Sequence, residues 1–327
     1  MNNKTPISVL MSVYNAEIFI RESIQSVLDQ TFSDFEFVIV NDGSTDLTGD
    51  IIKSFSDPRI VYLEQSNKGI ASALNEGLKI AKGIYIARFD ADDICYHNRL
   101  EKQYLFMNQN PSYVIAGSGA DYIDKDGNFI FSYTPPALKD DEIRVIKTKT
   151  CPFIHSTVFY NKQLIIDHGG YNEYAHSFED HLLWLAITRH GKAINFPEPL
   201  IKVRLNPDSI TIDEKWRTNT FHQIKRTVLE SEKIDAVQGE QLSRIIKKQN
   251  TKKIKLGAYH ALVAKKFLWN NYQPVKARES LLKAISLHRL HVNSYCLFCI
   301  SFLPAVFLKQ SYQLLKSGTF AFRKTSK

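Results

Sequence analysis

Along residues 1–90, short apolar runs alternate with stretches whose apolar side chains recur at helical spacing. Residues 7–13, 35–40, 60–63 and 84–89 are rich in β-branched and aromatic side chains, the signature of buried strands. Between the first two, Ile20, Ile24, Val27 and Leu28 fall at i, i+4, i+7 and i+8, one face of a helix. Residues 46–55 read as a second helix with Asp46 as N-cap, and 70–81 as a third that ends before Gly83. Strand and helix in alternation with short links predict a parallel, doubly wound sheet. Further on the pattern turns mixed. A hairpin over Asp126-Gly127 joins 113–123 to 128–133, short strands fall at 157–160, 194–196 and 201–205, and 178–190 reads as helical. After residue 212 the strand signal ends, and the chain reads as helical, basic and aromatic.

In doubly wound sheets ligands bind beyond the carboxyl ends of the strands. Three polar segments fall there: Tyr14-Asn15-Ala16-Glu17, Asn41-Asp42-Gly43-Ser44-Thr45-Asp46 and Asp90-Ala91-Asp92-Asp93. The last places three carboxylates within four residues. Like charges so close repel, which drives one toward protonation unless a cation intervenes. Hard oxygen ligands suit Mg2+ or Mn2+, which keep water and phosphate in their remaining positions. On these four residues alone a solvated acidic turn is an equal alternative. Two phosphate motifs are missing. No Gly-x-x-x-x-Gly-Lys occurs, and the segment after the first strand has none of the glycines of a dinucleotide fingerprint. Gly117-Ser118-Gly119 has no third glycine at the required place. These gaps argue against a dehydrogenase.

Taken in order, the segments resemble glycosyltransferase family 2, the inverting GT-A enzymes that use nucleotide-sugars. The resemblance covers residues 6–212 and runs from Ile7-Ser8-Val9-Leu10-Met11-Ser12-Val13-Tyr14-Asn15 through Val38-Ile39-Val40-Asn41-Asp42-Gly43-Ser44-Thr45-Asp46. It continues through Asn67-Lys68-Gly69, Leu74-Asn75-Glu76-Gly77, Asp90-Ala91-Asp92-Asp93 with Arg99-Leu100, and Glu179-Asp180. It implies that Tyr14, Asn15 and Glu17 line a base and ribose pocket, with Asp42 bonding the base or ribose. An aromatic ring can stack on a base, and a carboxylate can accept its N–H. Asn67, Lys68 and Asn75 are implied as further nucleotide-sugar contacts, Lys68 facing either the diphosphate or solvent. Asp92 is implied as the direct metal ligand on the diphosphate. Asp90 contacts the ribose or the metal, and Asp93 is a spare candidate. Asp180 is implied as the catalytic base, with Glu179 as the neighbour that could fill the role instead. His155-Ser156-Thr157 and Arg204 with Ser209 resemble acceptor-side positions and are as easily structural. Trp216-Arg217 reverses the order found in the Gln-x-x-Arg-Trp motif of processive synthases, so processive synthesis is not expected.

Charge adds a second region to this picture. The net charge of +8 conceals an asymmetry: residues 214–327 carry 22 Lys and Arg against 6 Asp and Glu, while 1–213 carry 20 against 28. Basic surfaces meet phosphate, in nucleic acid or in anionic lipid headgroups. Residues 295–308 form an apolar run of 14 residues containing Pro304, whereas a membrane span needs about 20. A buried helix and an interfacial helix, with Lys309, Lys316, Arg323, Lys324 and Lys327 on headgroups, are the two readings. Cys95, Cys151, Cys296 and Cys299 give no disulfide framework, and Cys296-x-x-Cys299 reads as core or interface packing rather than zinc. The polar start of the chain argues against a secretory leader.

The expected fold is therefore α/β, a GT-A (Rossmann-like), mostly parallel sheet flanked by helices over 1–212, followed by a helical basic region over 213–327. The expected function is transfer of one sugar from a nucleotide-sugar, a UDP-sugar first, to a glycan or lipid-linked glycan hydroxyl, with Mg2+ or Mn2+. The expected setting is the cytoplasm, peripheral on the inner membrane face, in surface polysaccharide assembly. A sugar nucleotidyltransferase is the competing enzyme class, but it would show a Gly-rich basic loop after the first strand. A nucleic-acid-binding protein is the competing non-enzyme, but its basic residues would form a recognised module.

Overall fold

The computed structural model describes residues 5–209, 212, 214–249 and 251–310. Four strands, β1 (Ile7–Val13), β2 (Phe35–Asn41), β3 (Ile60–Glu64) and β4 (Tyr85–Asp90), alternate with α1 (Ile20–Leu28), α2 (Thr48–Lys53) and α3 (Ile70–Ile80). β1 pairs in parallel with β2 and β4, and β2 with β3, as βαβ connections require. A two-residue strand β5 (Ile94–Cys95) and helix α4 (Arg99–Gln109) follow the acidic turn. Next come β6 (Tyr113–Ile123), β7 (Phe129–Tyr133), α5 (Asp140–Ile146), β8 (Phe159–Asn161), α6 (Lys162–Asp167), α7 (Glu179–Ile187) and β9 (Lys192–Arg204). The sheet order is β3-β2-β1-β4-β8-β6-β9-β5, with β7 on β6. β8 runs antiparallel to both β4 and β6, and β5 to β9, so the sheet is parallel in its first four strands and antiparallel beyond them.

Burial explains these elements. β2 is buried at all seven positions, as a strand covered on both faces must be. Each fully buried Val, Ile or Phe contributes roughly 1.5–3 kcal/mol. Helices α1 and α3 turn one apolar stripe inward, through Ile20, Ile24 and Val27 on α1 and Ala73, Leu74 and Leu78 on α3. Two local expectations shift and a third holds. Asp46 lies one residue before the cap of α2, which is Leu47, yet its Oδ1 still accepts the Thr48 amide at 3.0 Å. The predicted strands at 194–196 and 201–205 are one 13-residue strand, β9, which runs on through Pro197 and Pro199. The hairpin turn holds, with Gly127 at φ 86° and its amide on Asp124 O at 3.1 Å.

The chain divides into two compact units. One holds the residues up to Asp121 together with Tyr133–Arg204 and Thr218–Ile245, which includes α8 (Asn219–Ser231) and most of α9 (Ala236–Gln249). The other holds Tyr122–Ser132, Leu205–Arg217 and the chain from Ile246, with α10 (Lys252–Trp269), α11 (Pro274–Leu287) and α12 (Val292–Ile300). In this second unit α11 packs on α10 and α12 on α11, Lys266 lies 4.2 Å over the Phe131 ring, and Trp216 packs against His288 and His291. Among the described residues no helix is long and apolar enough to cross a membrane. The run 295–308 is not continuous helix: α12 ends at Ile300, and Phe302, Leu303, Val306 and Phe307 are exposed. Cys296 and Cys299 are exposed too, so neither is core. Lys316, Arg323, Lys324 and Lys327 lie outside the described residues.

Candidate active site

Parallel pairing of β1 and β2, with Val13 opposite Asn41, makes their following loops leave side by side. These loops brace each other. Asn15 N donates to Ser44 Oγ (3.0 Å), Thr45 N to Asn15 Oδ1 (2.8 Å), Ala16 N to Thr48 Oγ1 (2.8 Å), Glu17 N to Asp46 Oδ2 (3.1 Å) and Leu47 N to Glu17 Oε2 (3.0 Å). Asn15 adopts φ 49°, a left-handed conformation that asparagine tolerates. Asp42 is buried at the end of β2 and draws in the loop after β3: Oδ1 accepts Gln65 Nε2 at 2.7 Å and Lys68 N at 2.9 Å, and Oδ2 accepts Gly69 N at 2.8 Å. Gly43 permits this approach. It sits at φ 72°, and a Cβ there would meet Asn67 N at 2.7 Å. Tyr14 is 50% exposed at the mouth of these loops and is therefore not a core residue. Asn67 and Lys68, in the loop after β3, are exposed.

Asn75 is placed differently. It stands on α3, where its Oδ1 accepts Tyr171 N at 2.8 Å and its Nδ2 donates to Tyr171 O at 2.9 Å, so both ends of its amide clamp one backbone position.

The acidic turn is scaffolded from four sides. Ser23 on α1 donates to Ala91 O (2.9 Å) and Asp93 O (2.7 Å). Asp90 N donates to Ser156 Oγ at 3.2 Å. Arg204, at the end of β9, sends its amide to Asp93 Oδ1 (2.9 Å), its Nε to Asp92 O (2.9 Å) and its Nη2 to Glu22 (2.7 Å). Beneath the turn, Arg99 donates to Arg88 O at 2.7 Å. Asp90 pairs with the buried Arg88, Asp92 is half-buried and Asp93 is buried. Burial, then the charges of Asp92 and Asp90, push the Asp93 carboxyl well above the usual carboxylate range, against the opposing hydrogen bonds of Ser156 and the Arg204 amide. This concentration of acceptor-only oxygens fits a hard divalent cation held by Asp92 and Asp90. Among the described residues no group of three or more His, Cys, Asp or Glu is arranged to hold a metal alone, so such a cation would draw its other ligands from substrate and water.

Glu179 and Asp180 open α7. Acids are stabilised in a first helical turn, yet these two sit high. Burial, then the Asp180 charge, pushes Glu179 up to about 7, and burial raises Asp180 despite the His181 amide at 2.6 Å on Oδ1. The helix is anchored by Trp184, which packs on His155, Tyr160 and Tyr171. His155 Nε2 meets Tyr171 Oη at 3.1 Å, and Tyr171 Oη meets Tyr160 Oη at 3.2 Å. Cys151 Sγ lies 3.8 Å from Asp180 Oδ2. Arg88 pairs with Asp90, and its charge lowers Glu179 and Asp180 by less than burial raises them.

Sequence reasoning missed Arg88, Tyr171, Cys151 and Gln65. Arg88 alone carried a signal, a charged residue within a strand otherwise buried, two positions before an acidic turn.

Comparison with known proteins follows this geometry. The family model described as glycosyl transferase family 2 matches residues 8–169. The amylovoran biosynthesis glycosyltransferase AmsE of Erwinia amylovora is 31% identical over 218 residues, covering 64% of this chain and 80% of that protein. A longer uncharacterised glycosyltransferase of Rickettsia bellii is 35% identical over 206 residues, 63% of this chain, but the chain spans only 29% of its length. Among solved structures, S. aureus TarS 1–349 in complex with UDP-GlcNAc aligns with a TM-score of 0.57 at 18% identity, covering 89% of this chain and 91% of that one. The mannosyltransferase PcManGT of Pyrobaculum calidifontis, in complex with GDP-Man and Mn2+, aligns with a TM-score of 0.55 at 17% identity, covering 97% and 84%. At such identities the structures speak for the fold, which is GT-A-like. The chain belongs to glycosyl transferase family 2 and is a glycosyltransferase.

Proposed function

We propose that the protein moves one sugar, with inversion and with a divalent cation, from a nucleotide-sugar to a hydroxyl of a glycan or lipid-linked glycan in surface polysaccharide synthesis. The observation that carries this reading is the acidic turn at the end of β4, where Asp90 pairs with the buried Arg88 and Asp93 is buried beside it, together with the Glu179-Asp180 pair that opens α7. A single displacement needs one site to hold the leaving diphosphate and one base for the acceptor proton. Tyr14 offers a face for a base, and the braced loops with Asn15, Glu17, Asp42, Asn67 and Lys68 shape the nucleotide end. Asn75 acts on this end through Tyr171. Asp92 and Asp90 would hold Mg2+ or Mn2+, which supplies positive charge to the departing diphosphate. Asp180 takes the proton of the acceptor hydroxyl, and burial raises its pKa above the ordinary carboxylate value, which strengthens it as a base. UDP-GlcNAc in TarS and GDP-Man in PcManGT both support a nucleotide-sugar donor, and we take a UDP-sugar first. The name of AmsE supports polysaccharide as the product class.

Incubation with a panel of nucleotide-sugars and Mn2+, with release of free nucleotide as the readout, tests the reading. Turnover with no member of the panel and no nucleotide binding would refute it. We further propose that residues 1–212 bind donor and acceptor, and that 213–327 attach the enzyme to the inner membrane face. Exposed Leu290, Val292, Phe302 and Val306 in a basic region support attachment. Neither modest apolar burial nor charge anchors stably alone, but together they do. Co-sedimentation of the full chain with anionic phosphatidylglycerol vesicles, lost in high salt, is the expected result, and failure to sediment at low salt overturns it.

A further inference from the structure

The donor site of the proposed reading contains a residue that neither the motif nor the reaction assigns. Arg88 and Arg99 are both among the largest fully buried side chains, and they are used in opposite ways. Arg99 is a structural arginine. Its Nε donates to Gln103 Oε1 (3.0 Å), its Nη1 to Cys95 Sγ (3.5 Å) and its Nη2 to Arg88 O (2.7 Å) and Val158 O (3.3 Å), so every nitrogen has an acceptor. Arg88 is buried as deeply, but its Nε has no acceptor among the described residues. Its Nη1 is committed to a close ion pair with Asp90 Oδ1. Burying a guanidinium costs several kcal/mol, and an apolar side chain of similar volume usually serves packing as well or better. A buried charge left so poorly satisfied therefore marks a task other than packing.

Placement shows the task. Arg88 and Asp90 are two residues apart on β4, so both point to the same face of the sheet. Arg88 N is tied to Val158 O at 3.0 Å, beside the turn that holds Asp90 N through Ser156. Asp90 is 35% exposed, while its partner is 1% exposed. One carboxylate oxygen is thus held from below by a fixed cation, while the group still faces outward. We propose that Arg88 is a positioning residue that holds the Asp90 carboxylate in the orientation the cation–diphosphate site requires. This rests on the donor-site reading given above. It is also consistent with the influence of the Arg88 charge on Asp180.

The test measures binding of UDP, with GDP in a parallel arm, by calorimetry in EDTA and in Mn2+, beside thermal melting. Wild type is expected to bind the nucleotide more tightly in Mn2+, and Asp92→Asn is expected to abolish that gain. Arg88→Met, which replaces the charge by an apolar chain of similar length, is expected to fold and to bind nucleotide in EDTA as wild type does. It should lose about 10–100-fold of the Mn2+-dependent affinity, the usual cost of removing a group that orients a metal ligand. Adding Arg88→Met to Asp90→Asn should produce no further loss, because Arg88 acts through Asp90. Should Arg88→Met fail to fold, Arg88→Lys is read instead. Its point charge lacks the guanidinium fork but keeps the positive charge, so a loss of about tenfold is expected, at the low end of such effects. If Asp92→Asn abolishes the Mn2+ gain and the Arg88 variant retains it fully, this inference alone is overturned. If wild type shows no Mn2+ gain with either nucleotide, the donor-site reading and this inference fall together.

Discussion

Two groups of carboxylates stand at the carboxyl ends of the same sheet and are treated in opposite ways. Those of the β1 and β2 loops are supplied with donors. Asp42 accepts three hydrogen bonds, Glu17 accepts the Leu47 amide, and Asp46 accepts the amides of Glu17 and Thr48. In the acidic turn and α7, burial outweighs the donors present, so Asp93, Glu179 and Asp180 all bind protons more tightly than ordinary carboxyls. A carboxylate surrounded by amides is finished: it fixes a loop and has little left to offer. A carboxylate kept short of donors retains basicity and an affinity for cations. On the reading proposed above, the difference would separate the residues that shape the nucleotide end from those that carry the chemistry.

The comparison can be broken most severely at α7. Asp180→Asn keeps the shape and removes the basicity, so kcat should fall about 10²–10⁴-fold while nucleotide binding survives. Wild-type kcat should also fall as pH drops through the raised Asp180 pKa, and the residual activity of Asp180→Asn should lack that acid limb. Normal turnover in Asp180→Asn together with loss in Glu179→Gln would move the base by one residue. The next effect lies in the acidic turn. Asp92→Ala should cost on the order of a hundredfold or more in turnover, with an unchanged melting temperature, because one electrostatic contact to developing charge contributes about 3 kcal/mol. Excess EDTA should reproduce it, and full activity in EDTA would show that no cation takes part.

The scaffold was legible in the sequence because its signals are local. The alternation of β-branched runs with helical spacing is written within each element, and β1 to β4 follow it to within a residue or two. The ends of β1, β2 and β4 could be named as the site because parallel strands place their carboxyl ends on one side. What the sequence could not show is long-range. Asn75 read as a donor contact, but its partner is Tyr171, 96 residues away. Arg88 read as part of an apolar strand, and its ion pair with Asp90 shows only in the fold. Residues 194–196 and 201–205 read as two short strands, yet β9 runs on through Pro197 and Pro199. The C-terminal apolar run resembled a candidate core helix, yet Phe302, Val306 and Phe307 face solvent, because hydrophobicity alone does not state what covers it.

Stability against pH sharpens the same comparison, with smaller effects of opposite sign. Glu179 is raised from an ordinary 4.5 to about 7. The native state therefore holds its proton more tightly than the unfolded state, and stability is lost as pH rises from about 4.5 through about 7. Glu179→Gln cannot ionise, so at pH 8 it should stabilise the protein by on the order of 3 kcal/mol more than it does at pH 4. Parallel denaturant titrations at the two pH values measure this, and an equal effect at both would mean that Glu179 is not strained by burial.

Asp46 should show the reverse. Burial raises its pKa, but the Thr48 and Glu17 hydrogen bonds outweigh burial and hold the carboxyl below its ordinary 3.8. The folded state here favours the ionised form, so its contribution is present above pH 3.8 and is lost as pH falls through the lower folded value. Asp46→Ala removes the acceptor at the start of α2 and the link to the first loop, a change of about 1 kcal/mol, as for other helix-start acceptors. The destabilisation should be measurable by melting at pH 7 and should shrink by pH 3, where the wild-type carboxyl is itself taking up its proton. A destabilisation that grew on acidification would place Asp46 with the under-satisfied carboxylates of α7 and dissolve the division between the two groups.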